Sequence, residues 1–204
     1  FHIGGGTYSV PRAFTSRGTG AITVAEIDPA VTGLAVEAFW FDPDSATVLH
    51  EDARRALLTR PEARFDVILG DAFTDVVVPV HLITREFFAL ASDRLNPGGT
   101  FLVNVIDYED RLRALSSVVA TLMEVFPVVE VWTHQVPPVP GSRMVFVVVA
   151  GDRPTPVDSI LVPAPEPMRF GALADGMVAQ LADTRGLVLT DDFAPIDRLM
   201  GRLD

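Results

Sequence analysis

Three consecutive glycines, Gly4-Gly5-Gly6, and three carboxylates, Glu26, Asp52 and Asp71, are the residues of this chain with the chemistry to hold a small ligand. Glycines that follow a short apolar stub, here Phe1-His2-Ile3, let the backbone turn sharply and come close to a bound molecule. An acidic side chain about twenty residues later, at the end of the apolar stretch Val24-Ala25-Glu26-Ile27, can accept hydrogen bonds from both hydroxyls of a ribose. That order is the pattern of a nucleotide-binding strand–helix–strand unit. A glycine-rich turn also has a purely structural reading, and the spacing to Glu26 is what favours a nucleoside. Asp71 ends the apolar run Phe65-Asp66-Val67-Ile68-Leu69-Gly70; a carboxylate there either serves as a proton acceptor or is simply a polar strand terminus.

These side chains act together only if the fold brings them to one edge. The spacing predicts a helix over residues 8–17, a buried strand over 21–27, and a helix opened by Pro29 that carries Val31, Leu34, Ala35 and Ala38. A short strand over 47–50 leads through Glu51-Asp52-Ala53 into a helix ending near 58, followed by the strand at 64–71 and a loop over 72–80. An amphipathic helix is expected over 81–95, stopped by Asn96-Pro97-Gly98-Gly99, then a strand over 100–106, a helix over 110–126, and strands over 128–133 and 144–150. Alternating strands and helices predict an α/β fold with a doubly wound, mostly parallel seven-stranded sheet, and the short connection between the last pair predicts an antiparallel last strand. In such a sheet ligands sit at the carboxyl ends of strands, which is where the glycines, Glu26, Asp52 and Asp71 all fall. Beyond residue 151 prolines punctuate an extended segment; a helix is expected over 170–181, and the carboxylates of Asp191 and Asp192 either cap a turn or face the site, with the cap favoured because Asp is common in such turns.

Composition narrows the function classes. With 204 residues and 49% hydrophobic content, the chain has enough material for one sizeable core, and a single domain over 1–204 is expected. A formal charge of −11, from 16 basic and 27 acidic residues, argues against a nucleic-acid partner, which needs clustered cations. There is no cysteine for a disulfide, a thiolate nucleophile or a zinc–sulfur site, and the four histidines show no metal-binding spacing, so no metal is expected. No apolar run is long enough to span a membrane.

The motifs His2-Ile3-Gly4-Gly5-Gly6, Ala25-Glu26-Ile27-Asp28-Pro29, Glu51-Asp52-Ala53, Phe65 to Asp71, Leu95-Asn96-Pro97-Gly98-Gly99 and Pro137-Pro138-Val139-Pro140-Gly141 together resemble the catalytic domain of the spermidine synthase family, aminopropyltransferases built on the class I, Rossmann-like methyltransferase fold. The stretches Pro79-Val80-His81-Leu82-Ile83-Thr84-Arg85-Glu86 and Thr190-Asp191-Asp192-Phe193-Ala194-Pro195 are most similar to bacterial members, some of which are joined to membrane transporter segments. The likeness runs from residue 1 to about 200. It implies that Gly4, Gly5 and Gly6 make room for the nucleoside, that Glu26 and Ile27 lie at its ribose, and that Asp52 and Ala53 meet the adenine edge. It also implies that Asp71 is the catalytic carboxylate that receives the attacking amine and borders the donor, and that Asp75 and Val139 stand at the amine acceptor. Decarboxylated S-adenosylmethionine would be the co-substrate, a cationic amine the acceptor, the cytoplasm the location, and a homodimer or homotetramer the assembly.

The chain also departs from the family pattern. Thr7 and Tyr8 follow the glycines where the family usually has Asp and Gly, Thr74 stands where a second acidic residue is usual, with Asp75 next, and Val139 replaces the Tyr between two prolines. Only three residues precede the glycines, against about 5–6 in an ordinary strand; the first strand is expected to be truncated and the family's N-terminal β-domain to be absent from this sequence. Three functional readings therefore stand: aminopropyl transfer, methyl transfer from S-adenosylmethionine, for which Thr7 removes an acidic neighbour of the donor carboxylate, and nucleoside binding without turnover.

Overall fold

Apolar runs buried on both faces fix the centre of the molecule. The computed structural model describes residues 1–73, 78–135, 139, 141–163 and 165–200. Its strands are β1 (His2–Ile3), β2 (Thr23–Ala25), β3 (Thr47–Leu49), β4 (Phe65–Gly70), β5 (Leu95–Tyr108), β6 (Val128–His134), β7 (Arg143–Gly151), β8 (Ser159–Val162) and β9 (Met168–Ala172). They form one sheet in the order β3-β2-β1-β4-β5-β7-β6-β9-β8. The strands from β3 to β5 are parallel, and β7 inserts antiparallel between β5 and β6. The order reverses at β1, with β2 on one side and β4 on the other, which opens a crevice at the carboxyl ends of these strands.

The helices are α1 (Ser9–Ser16), α2 (Pro29–Ala38), α3 (Ala53–Thr59), α4 (Arg85–Asp93), α5 (Arg113–Met123), α6 (Asp175–Arg185) and α7 (Ile196–Met200). Phe1 and Ile3 face the larger core, shared with Leu57 of α3, Phe87 and Phe88 of α4 and Leu115 of α5. Val24 faces the smaller one, with Tyr8, Ile22, Ala35 and Phe41. Fully burying one such large apolar side chain stabilises the fold by roughly 1.5–3 kcal/mol, so the paired cores hold the β1–β2 edge rigidly from both faces.

Four expectations change in the fold. The residues expected as a helix over 81–95 split into a single 3₁₀ turn, Val80–Leu82, and α4, because Thr84 Oγ1 accepts the Phe87 N–H at 3.3 Å and starts a new helix. Asn96-Pro97-Gly98-Gly99 does not simply end that helix: it lies within β5, where pairing jumps from Phe65–Leu95 to Val67–Thr100 across a bulge. The helix expected over 170–181 begins only at Asp175; before it, Phe170 pairs with Ile160 and His134, and β8 and β9 extend the sheet past the seven expected strands. In α2 the inward residues are Thr32 and Ala35, while Leu34 is exposed. Among the described residues no helix is long and apolar enough to cross a membrane.

Candidate active site

The turn after β1 is shaped by what surrounds it. Gly4 has φ of 89°, and a Cβ there would lie 2.9 Å from the Asp71 carbonyl oxygen and 3.1 Å from Ala72 Cα. Backbone cannot yield as a flexible side chain would, so glycine lets the loop pass against the segment leaving β4. Gly5 lies over the Tyr8 ring: a Cβ would come within 2.3 Å of it. That ring is fixed by stacking on Phe41 at 4.0 Å and by a 2.6 Å hydrogen bond between its hydroxyl and Thr32 Oγ1.

Glu26, just past β2, is buried and locks the loop from the other side. Its Oε2 accepts the Gly5 N–H at 2.8 Å and its Oε1 accepts the Asp28 N–H at 3.0 Å. Each carboxylate oxygen retains a second lone pair, so a carboxylate oriented by backbone donors still has acceptors for a vicinal diol. Asp28 in turn caps α2 through the Ala30 N–H at 2.8 Å.

Asp52 caps α3, accepting the Arg55 N–H on Oδ1 at 2.8 Å, while Oδ2 lies 2.7 Å from His81 Nε2. Burial pushes this carboxyl up, but the Arg55 N–H and His81 hydrogen bonds outweigh it and hold it below its ordinary value. Asp71 follows β4, its N–H bonded to the Ile3 carbonyl at 3.0 Å. Asn104 Nδ2 donates to Asp71 Oδ1 at 3.0 Å, and among the described residues Oδ2 has no hydrogen-bond partner.

These pieces line one cleft of about 520 Å³, bordered by Gly4, Gly6, Glu26, Ile27, Asp52, Ala53 and Asp71 together with Val31, Phe73, Pro79, His81 and Leu82. Its size and largely apolar lining suit a small organic ligand. A recess of about 80 Å³ adjoins it between Gly4, Gly5, Gly6, Thr7, Ser9 and Asp71. Gly5 thus acts through its N–H to Glu26 and through the recess. Val139 is exposed and does not line the cleft, and Asp75 lies outside the described residues.

Three contributors escaped the motif reading. His81 and Asn104 are single polar residues flanked by apolar neighbours in sequence, and only their contacts with Asp52 and Asp71 give them meaning; for Asn104, its position between Phe101-Leu102-Val103 and Val105-Ile106 towards the carboxyl end of β5 was the available signal. Asp191 was expected to cap a turn. The turn exists, with paired hydrogen bonds between Thr190 and Phe193, but the Asp191 carboxylate reaches out of it to Arg54 Nη1 at 2.7 Å, Arg54 Nη2 at 2.5 Å and Thr84 Oγ1 at 2.7 Å. Arg54 follows Ala53, and its Nη1 also donates to the His81 carbonyl at 3.3 Å. Asp191 therefore ties together two walls of the cleft.

Residues 3–159 match the family model described as the spermine/spermidine synthase domain. The chain belongs to this family. It is 31% identical over 148 residues to a polyamine aminopropyltransferase of Vibrio vulnificus, covering 71% of this chain and 47% of that one. It is also 31% identical over 153 residues to an N-terminal histidine N-methyltransferase of Emericella nidulans, covering 72% of this chain and 26% of the relative. Among solved structures, a probable spermidine synthase from Corynebacterium glutamicum superposes with a TM-score of 0.76 at 27% identity, covering 91% of this chain and 69% of that one. The chain spans about half, or less, of the length of the curated relatives it matches. The family's methyltransferase-like sheet is the one described above, with its parallel strands followed by the antiparallel insertion of β7.

Proposed function

We propose that this chain is the catalytic part of an aminopropyltransferase that uses decarboxylated S-adenosylmethionine and a cationic amine. The ribose lies on Glu26 beside Ile27, the adenine edge meets Asp52 and the backbone at Ala53, and the sulfonium carbon faces Asp71. Once its ammonium has given up a proton, the acceptor nitrogen attacks the methylene carbon bound to sulfur with the freed lone pair as the carbon–sulfur bond breaks. Methylthioadenosine leaves with a neutral sulfur and needs no acid, and the ammonium proton passes to Asp71 Oδ2. A protonated amine has no lone pair to attack with, so a carboxylate within hydrogen-bond reach is what the reaction requires. Its charge also draws both cations into the cleft.

One observation carries the reading: Asp71 borders the same cleft as Glu26 and presents an oxygen without a hydrogen-bond partner among the described residues. The name of the Vibrio vulnificus relative supports the same chemistry. The test is to incubate the protein with decarboxylated S-adenosylmethionine and a panel of polyamines and to measure methylthioadenosine. Asp71→Asn is expected to lower the rate by roughly 10²–10⁴-fold, the usual contribution of a positioned base, with nucleoside affinity nearly unchanged. An unchanged rate in that variant refutes the role of Asp71, and a wild type with no turnover on either donor leaves nucleoside binding alone.

Methyl transfer from S-adenosylmethionine is the second reading, and a specific observation favours it. The recess beside Asp71 carries Thr7, whose Oγ1 lies 2.7 Å from Ser9 Oγ, in place of an acidic residue. Hydroxyls tolerate a donor carboxylate that an acidic side chain repels. Side-by-side titration with the two donors separates the readings: tighter binding of the decarboxylated form supports aminopropyl transfer, and tighter binding of S-adenosylmethionine supports methyl transfer. Assembly into dimers or tetramers belongs to the same proposal and is checked by sedimentation.

A further inference from the structure

The cleft wall formed by Pro79, His81 and Leu82 carries an imidazole that no motif assigned a task. His81 is tied at two points to the first turn of α3: Nε2 lies 2.7 Å from Asp52 Oδ2, and its carbonyl accepts from Arg54 Nη1 at 3.3 Å. Asp52 Oδ1 is already committed to the Arg55 N–H at 2.8 Å. A carboxylate with a donor on each oxygen is held in one orientation, and each oxygen keeps a lone pair free to accept. The hydrogen bonds from Arg55 and His81 outweigh the effect of burial and keep this carboxyl below its ordinary value, so it is a pure acceptor at neutral pH. The neighbouring lining is largely apolar, with Val31, Pro79, Leu82 and Ile27, which is 70% exposed where the cleft opens; the Glu51 carboxylate beside Asp52 is paired with Arg60 at 2.7 Å and Arg55 at 3.5 Å. An apolar slot that ends in an acceptor-only group fits a flat heterocycle bearing an exocyclic amino group. It disfavours the same ring with an oxo group, whose lone pairs would face the carboxylate.

We infer that His81 is a positioning residue for base selection: its Nε2–H holds Asp52 so that Oδ2 accepts the amino group of a 6-aminopurine and turns away a 6-oxopurine. The inference rests on the nucleoside reading of the cleft given above. No bond is made or broken in this role; the imidazole acts as a hydrogen-bond donor to the carboxylate. Its backbone anchor on Arg54, which is itself held by Asp191, keeps the ring in reach of Asp52 before any ligand arrives.

The test is calorimetric titration of the wild type, His81→Ala and His81→Gln with 5′-methylthioadenosine and 5′-methylthioinosine. The wild type is expected to prefer the adenosine by roughly tenfold to a hundredfold, the range set by a half-buried acceptor that meets a donor or another acceptor once the ligand covers it. His81→Ala is expected to bring the two affinities within about threefold of each other, with most of the change on the adenosine side. His81→Gln, whose amide nitrogen reaches about as far as imidazole Nε2, is expected to restore most of the preference. A residue that only walls the slot would weaken both ligands equally and leave the ratio intact, and that result overturns the inference. So does a ratio unchanged in both variants. If His81→Ala does not fold, His81→Gln against His81→Asn, whose amide falls short of Asp52, decides the same point. A wild type that binds neither nucleoside removes the nucleoside reading and this inference with it, whereas a preference that persists without His81 overturns the inference alone.

Discussion

Replacing Glu26 by Gln changes almost nothing in shape and reverses the character of one polar atom. In the wild type Oε2 accepts the Gly5 N–H at 2.8 Å and Oε1 the Asp28 N–H at 3.0 Å, and the side chain is 7% exposed. A glutamine keeps one acceptor; its NH₂ must face the other N–H, donor against donor. Leaving a buried donor unsatisfied costs about 1–3 kcal/mol, so Tm is expected to fall by about 2–12 °C for a chain of this size. Binding loses more specifically. In the proposed complex the carboxylate accepts from the ribose hydroxyls, and a hydrogen bond to a charged group is worth about 1.5–3 kcal/mol, a factor of roughly 10–150 in affinity. The assay is calorimetry with 5′-methylthioadenosine, which lacks any donor tail, against its 2′-deoxy analogue, below the melting range of both proteins. The wild type is expected to discriminate between the two, and the variant to lose most of that discrimination, so the four affinities form a cycle that isolates the Glu26–hydroxyl contact. A Glu26→Gln protein that is folded and still prefers the 2′-hydroxyl as the wild type does refutes the ribose assignment.

Other perturbations follow from the same contacts. Gly4→Ala forces a left-handed backbone on an L-residue, about 1–2 kcal/mol, and drives its Cβ into the Asp71 carbonyl, so Tm is expected to fall further than in Gly6→Ala, where φ is 51° but the space is open. Equal melting of the two variants refutes the close-approach argument. For Asp191, the Arg54 fork, assisted by Thr84, overcomes burial and holds the carboxyl at about 2, below its ordinary 3.8. That depression is nominally worth about 2 kcal/mol, reduced by solvent screening of a side chain that is 42% exposed to about 1 kcal/mol. Because the folded value is depressed, this stability is present above pH 3.8 and is lost as pH falls through about 2. Asp191→Asn is therefore expected to melt about 2–4 °C lower at neutral pH. Urea titrations from pH 7 to pH 2 are expected to converge with those of the wild type at the acid end, and a gap that persists there contradicts the ion-pair account.

The first half of the chain was legible because its chemistry is local. Phe65 to Gly70 reads as a strand from its own composition, Pro29 opens a helix that Asp28 caps, and Gly4-Gly5-Gly6 with Glu26 about twenty residues on states a strand–turn–helix–strand unit without reference to anything else. A parallel strand buried on both faces and a ligand edge at strand ends then follow from general rules of α/β sheets, and those rules brought Glu26, Asp52 and Asp71 to one cleft as expected. The later elements were less legible. Residues 168–172 pair as β9 because β6 and β8 lie beside them, and a five-residue window carries no periodicity that distinguishes that outcome from a helical turn.

What the sequence by itself determined is the class of fold, the family and the edge at which the cleft opens, since each depends on residue types at short, fixed spacings. Tertiary structure alone decided which polar groups meet. Asp52 with His81 is a contact across 29 residues, Asp71 with Asn104 across 33, and Arg54 with Asp191 across 137. Separations of that size are closed by the packing of the sheet against α3, α4 and α5, and nothing local encodes them. The physical reason is that a hydrogen bond needs its partners within about 3 Å, a tolerance that motif spacing cannot reach and a packed core can.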